Sequence, residues 1–116
     1  MSVVLYGIKS CDTCRKARRW LGTHGIDYRD HDLREDGIDA ALLAEWCRRL
    51  DWAELLNRRS TTWRSLDESR RAVNDAEGTR ALLLAHPTLI KRPVLDTGDR
   101  LLVGFSESAF SETFGR

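Results

Sequence analysis

The chain has 116 residues, 41% of them hydrophobic and 32% charged, with a formal net charge of +1. That length suffices for one domain hiding about two thirds of its unfolded surface without a covalent staple. The near-neutral charge gives no reason to expect general nucleic-acid or membrane binding, and no apolar run approaches the ~20 residues needed to span a bilayer. Met1-Ser2 lead straight into an apolar run with no basic n-region or cleavage site. A signal peptide is therefore not expected, and the cytoplasm is the expected compartment. There, the three cysteines read as catalytic or free thiols rather than as a disulfide framework.

Val3-Val4-Leu5-Tyr6 is β-branched and aromatic and predicts a buried strand. Gly7 to Ser10 make a turn, helical spacing begins at Thr13, and Gly22 and Gly25 bracket the helix end. Ile26 to Asp32 alternate well enough for a second, parallel strand, which completes a βαβ unit. Asp36-Gly37 is a turn, and Asp39 caps a helix through Leu42, Leu43, Trp46 and Leu50. Trp52 to Leu56 read as a short helix, and Asn57 to Thr62 as a polar loop. Leu66 to Val73 and Glu77 to Ala85 read as further helices, the latter ended by His86-Pro87. Strand character returns over Ile90 to Leu95. A Thr-Gly turn within 96–99 leads to a hairpin partner at Leu101-Leu102-Val103. Ser106 caps a last helix bearing Phe110 and Phe114 on one face. The order βαβ, helices, ββα predicts an α/β protein with a mixed sheet, helices on its faces and a helical insertion.

The chemistry concentrates at Cys11-Asp12-Thr13-Cys14, where the first strand hands over to a helix N-terminus. Free backbone N–H groups and the helix dipole stabilise a thiolate there. A C-x-x-C beside a β-α pattern in a short chain reads first as a thioredoxin-like redox motif. Cys14, Ala17 and Leu21 fall at i, i+3, i+7, so Cys14 shares the buried stripe. Cys11 precedes the first turn and projects toward solvent. Cys11 is thus the candidate attacking thiolate, and Cys14 is at most a resolving thiol. Lys9, Arg15, Lys16, Arg18 and Arg19 raise the local positive potential and Asp12 opposes them, so the expected pKa shift is downward but not extreme. Such a thiolate attacks a disulfide sulfur through a mixed disulfide, which Cys14 or glutathione resolves. Two other readings stay open: both cysteines as core residues, or half of a zinc site. The remaining zinc candidates, Cys47, His24, His31 and His86, show no paired spacing.

Arg92-Pro93 is a second constellation, because a proline between apolar residues belongs at a sheet edge, a strand start or a special turn. A cis proline would bring backbone groups close to a reactive sulfur. Arg92 is either an anion holder beside the thiolate or a solvated strand-end charge. The segment Asn57-Arg58-Arg59-Ser60-Thr61-Thr62-Trp63-Arg64 is dense in anion-binding groups. Its alternative is a polar surface loop with Trp63 in the core. Cys47 reads as a bystander, and the three histidines as satisfied structural residues.

Several segments together resemble the ArsC/Spx family. They are Cys11-Asp12-Thr13-Cys14-Arg15-Lys16-Ala17-Arg18-Arg19-Trp20-Leu21, Arg59-Ser60-Thr61-Thr62-Trp63-Arg64, His86-Pro87 through Lys91-Arg92-Pro93, and Val103-Gly104-Phe105-Ser106. Thr61-Thr62-Trp63-Arg64 looks most like the YffB branch, small proteins proposed to be glutathione-dependent thiol reductases. The resemblance implies one thioredoxin-like domain over residues 1–116, with its core at about 1–34 and 88–116 and its helical insertion at about 38–86. It implies a cis Arg92-Pro93 bond at the active site. It implies Cys11 as nucleophile with Cys14 as resolver or spectator, Arg92, Arg59 and Arg15 as substrate or anion contacts, and Pro93 shaping the groove. No bound cofactor and no metal are implied; glutathione is the co-substrate, and a monomer is expected. The first alternative is an Spx-like regulator switched by a C-x-x-C disulfide and binding the RNA polymerase α subunit. The second is arsenate reduction. Arsenate reductases of this type use Cys-x-x-Ser-Arg and three arginines, whereas Asn57 follows Leu55-Leu56 here and Val103-Gly104 replaces the late arginine.

Overall fold

In the computed structural model, which describes residues 2–116, the chain runs β1 (Val4–Gly7), α1 (Asp12–Thr23), β2 (Arg29–Asp32), α2 (Ala40–Arg49), α3 (Trp52–Leu55), α4 (Thr61–Ser65), α5 (Glu68–Arg71), α6 (Ala76–Ala85), β3 (Val94–Asp96), β4 (Leu101–Val103) and α7 (Glu107–Phe114). A 3-10 turn at Pro87–Leu89 follows α6. The chain divides into two compact units, residues up to Asp32 with Arg92–Arg116, and Leu33–Lys91.

The first unit holds a sheet of strand order β2-β1-β3-β4. β1 pairs with β2 in parallel, and β3 pairs antiparallel with both β1 and β4. Parallel neighbours need a crossover, which α1 supplies. Leu5, Leu95 and Leu102 are register partners across three strands and form one row on the sheet. Leu5 and Leu95 pack with Ala17, Trp20 and Leu21 of α1 and Phe110 of α7, with Leu102 at the margin. Each large apolar side chain removed from water in this way contributes about 1.5–3 kcal/mol. Cys14, Ala17 and Leu21 are fully buried, as their helical spacing requires. Ser106 caps α7 by accepting from the Ala109 N–H.

The boundaries depart from the sequence expectations where a hydrogen bond captures the chain first. The Ile26 N–H donates to the Leu21 carbonyl at 3.0 Å, so Ile26 belongs to the turn leaving α1. The ladder to β1 opens only with the Arg29 N–H on Val3 O at 2.8 Å, which shortens the expected strand from Ile26. The expected strand from Ile90 is shorter still. Ile90 forms a single antiparallel bridge to Leu56, the Arg92–Pro93 peptide is cis, and regular pairing starts at Val94.

The second unit is helical, with Leu43, Trp46, Leu55, Leu83, Leu89 and Ile90 fully buried. Its short helices are set by side-chain caps: Asp39, Asp51, Ser60, Asp67 and Asp75 each accept a free backbone N–H of the following turn. Such a cap contributes about 1 kcal/mol. Ser60 converts Thr61-Thr62, expected in a loop, into the start of α4 by taking the Trp63 N–H at 3.1 Å. Leu66 closes that turn on Trp63 O at 3.2 Å. The helix expected over Leu66–Val73 is accordingly confined to Glu68–Arg71 behind the Asp67 cap.

Candidate active site

The β1–α1 turn is held from three directions. The Cys11 N–H donates to Ile8 O at 3.3 Å. The Lys9 N–H donates to the buried Asp32 carboxylate at the end of β2, 3.2 Å away. The Arg18 guanidinium donates to Ile8 O at 3.3 Å while its Nε–H donates to Asp30 at 3.1 Å. These contacts leave Cys11 half-buried at the N-cap of α1, with extended backbone (φ −84°, ψ 120°). One turn on, Cys14 is fully buried. Gly7 makes that placement possible, since a Cβ there would lie 2.6 Å from Cys14 Sγ and 3.2 Å from its Cβ.

The two thiols differ in their readiness to ionise. Burial pushes the Cys11 thiol up, but donation from the Cys14 backbone N–H and thiol, and the hydrogen bond and charge of Arg92, outweigh it and hold Cys11 below its ordinary value. Burial pushes Cys14 up to about 12, reinforced by the neighbouring Cys11 sulfur and opposed by the Ile8 N–H and the Arg18 charge. One proton therefore stays on Cys14, pointed at Cys11, and the negative charge settles on the more accessible sulfur. The helix N-terminus adds to this preference.

Arg92, remote in sequence, comes to this sulfur. The Arg92 guanidinium reaches Cys11, and Pro93 is buried behind the cis bond. The Pro93 carbonyl is tied down by the Gly104 N–H at 2.8 Å. Arg15 does not join them, because its guanidinium is taken by Asp12 and reaches toward Ser10 O at 3.5 Å. Arg59 lies in the second unit, exposed, just ahead of α4. Its neighbour Arg58 stands over the Trp63 ring at 5.7 Å. Cys47 is half-buried on α2. His24 donates Nδ1–H to Trp20 O at 2.8 Å, His31 rests on Tyr6 at 4.9 Å, and His86 Nε2 accepts from Arg70 at 3.2 Å. Sequence reasoning missed Gly7 and the separate task of Arg18. A glycine ending a strand seven residues before a buried cysteine was the available signal for the first.

A thiolate-favouring cysteine at a helix N-cap, a second thiol one turn inside, and a cis-proline opening the antiparallel arm of a four-stranded mixed sheet make this a thioredoxin-like fold. Residues 6–113 match the ArsC family, and the chain belongs to it. It is 41% identical over 112 residues to an uncharacterised protein of Haemophilus influenzae, covering 97% of this chain and 98% of that one. It is 30% identical over 109 residues to the global transcriptional regulator Spx of Lactiplantibacillus plantarum, covering 90% and 80%. Among solved structures, the YffB (PA3664) protein superimposes with a TM-score of 0.91 at 48% identity, covering 96% and 97%. An arsenate reductase related protein from Brucella melitensis gives 0.77 at 46% identity, covering 100% and 97%.

Proposed function

We propose that this protein is a thiol-disulfide reductase that uses Cys11 as nucleophile and glutathione as electron donor, working in a reducing compartment such as the cytoplasm. The observation that carries the reading is the pairing of a half-exposed Cys11, held below its ordinary pKa by Cys14 and Arg92, with a Cys14 kept protonated. The Cys11 thiolate attacks the glutathionyl sulfur of a mixed disulfide R–S–S–G. A Cys11–S–S–G bond forms, the old S–S bond breaks, and R–S⁻ leaves to take a proton from water. A glutathione thiolate then attacks the bound glutathionyl sulfur, releasing oxidised glutathione and restoring the Cys11 thiolate. In net terms R–S–S–G and one glutathione give R–SH and oxidised glutathione: the R sulfur is reduced to a thiol, the attacking glutathione sulfur is oxidised to the disulfide level, and the transferred glutathionyl sulfur stays in a disulfide throughout.

Cys14 offers a second exit. Once Cys11 is in a mixed disulfide, its negative charge no longer helps hold the proton on Cys14; burial still opposes ionisation, and the Ile8 N–H and the Arg18 charge still favour it. Attack on Cys11 would expel glutathione and leave a Cys11–Cys14 disulfide for two further glutathiones to reduce. In the same reading, Arg92 holds a glutathione carboxylate, and Pro93 shapes the groove beside the sulfur. Residues 1–116 act as a single domain, its helical segment inserted into the thioredoxin-like core.

The test is glutathione-coupled turnover of a small mixed disulfide by the wild type, Cys11→Ser and Cys14→Ser. Turnover should vanish with Cys11→Ser, and the Cys14→Ser rate tells whether one thiol or two run the cycle. The likeness to Spx supports a second reading, a redox-switched domain that binds the RNA polymerase α subunit. That reading predicts binding to the α subunit without turnover.

A further inference from the structure

A cleft in the first unit is lined by neither cysteine. It has a volume of about 460 Å³ and is lined by Lys16, Arg19, Trp20 and His24 of the α1 region and by Phe105 and Glu107 at the entrance to α7. That volume falls in the ~300–1,000 Å³ range of small-molecule sites. Its aromatic base is fixed in place. His24 stacks on Trp20 at 3.9 Å with planes 22° apart, and its ring is locked by the bond from Nδ1 to Trp20 O. Fully buried Phe110 braces Trp20 edge-on at 5.5 Å and Phe105 edge-on at 4.9 Å. Trp20 is 8% exposed and His24 and Phe105 are half-buried, so a planar ligand entering here meets side chains already held in place, which lowers the cost of binding.

The rim is cationic, and its charges are uncommitted. Of the basic residues on α1, Arg15 is engaged by Asp12 and Arg18 by Asp30. Lys16 and Arg19 sit one turn apart and exposed, and among the described residues neither has an ion pair or a hydrogen bond. Glu107 is the single carboxylate of the lining. Two free cations over an aromatic floor match a ligand with one anionic group and a flat body, because a guanidinium pairs with carboxylate or sulfonate through two parallel N–H groups.

We propose that this cleft is a binding site for a small aromatic anion of one or two fused rings, with Lys16 and Arg19 holding the anionic group and Trp20, His24 and Phe105 holding the rings. It is independent of the thiol chemistry at Cys11.

The test is a titration of the ¹⁵N-labelled full chain with naphthalene-1-sulfonate, and with uncharged 1-naphthalenemethanol as comparator. Saturable one-to-one shifts should centre on the Trp20 indole N–H and the amides of Lys16 to His24 and Phe105. Affinity should fall at least ~10-fold for the uncharged comparator and for Lys16→Gln/Arg19→Gln, the loss of a charged hydrogen bond. Should the double variant lose its native spectrum, Arg19→Gln alone and the comparator on wild type carry the test. Absence of saturable shifts, shifts centred on Cys11 and Arg92, or equal affinity for the charged and uncharged probes would overturn the proposal.

Discussion

Replacing Arg92 by glutamine isolates the cationic share of what keeps the Cys11 sulfur charged. The substitution keeps a donor but removes the positive charge, leaving the Cys14 N–H and thiol as the remaining support for the thiolate. A hydrogen bond to a charged group contributes ~1.5–3 kcal/mol, and because Cys11 is only half-buried, competition from water places it at the lower end. At about 1.36 kcal/mol per pKa unit, the Cys11 pKa should rise by about one unit. The assay is the pH dependence of iodoacetamide alkylation in a Cys47→Ala background. Cys14, pushed up to about 12, stays protonated below about pH 10, so the curve reports Cys11 alone. The wild-type midpoint should fall below the ordinary thiol value of ~8.5. A midpoint unmoved by Arg92→Gln would refute the assignment of Arg92 as the thiolate's cationic partner.

Other substitutions probe the packing behind the site. Gly7→Ala drives a methyl group into Cys14 Sγ and should cost ~1–3 kcal/mol by overpacking; urea unfolding should show most of that cost absent in Gly7→Ala made on a Cys14→Ala background. Burial raises the Cys14 pKa, so the folded state holds this proton to higher pH than the unfolded chain does. Its contribution to stability is complete below ~8.5 and is lost as pH rises toward the folded value, with a slope of at most ~1.4 kcal/mol per pH unit. Measured in a Cys11→Ser background to remove the coupling, stability should decline above that pH more steeply than in Cys11→Ser/Cys14→Ala. Phe110→Ala empties the fully buried centre of the aromatic cluster and should cost ~3–5 kcal/mol in urea unfolding.

Features governed by local periodicity and capping were legible in the chain. Cys14, Ala17 and Leu21 are fully buried because helical spacing alone puts them on one face, and Asp39 and Ser106 cap α2 and α7. The strand starts expected at Ile26 and Ile90 fall elsewhere because each residue's N–H goes to a carbonyl outside the sheet, Ile26 to Leu21 O and Ile90 to Pro87 O. Ser60 shows a different limit. Its serine-plus-three cap lies inside a run of polar residues that mask the helical turn it starts. At the site, the strand-to-helix junction exposed Cys11, since that follows from neighbours in sequence. The approach of Arg92 depends on sheet pairing, and composition does not encode which of several basic residues completes that contact. Arg15, adjacent to the motif, turns to Asp12 instead.

Trapping the first covalent intermediate tests most directly whether Cys11 is the nucleophile. Cys14→Ser, treated with oxidised glutathione and digested for mass mapping, should carry one glutathionyl group on Cys11, released when fresh glutathione is added. An unmodified Cys11, or modification of Cys47 ahead of it, would contradict a Cys11-centred reductase.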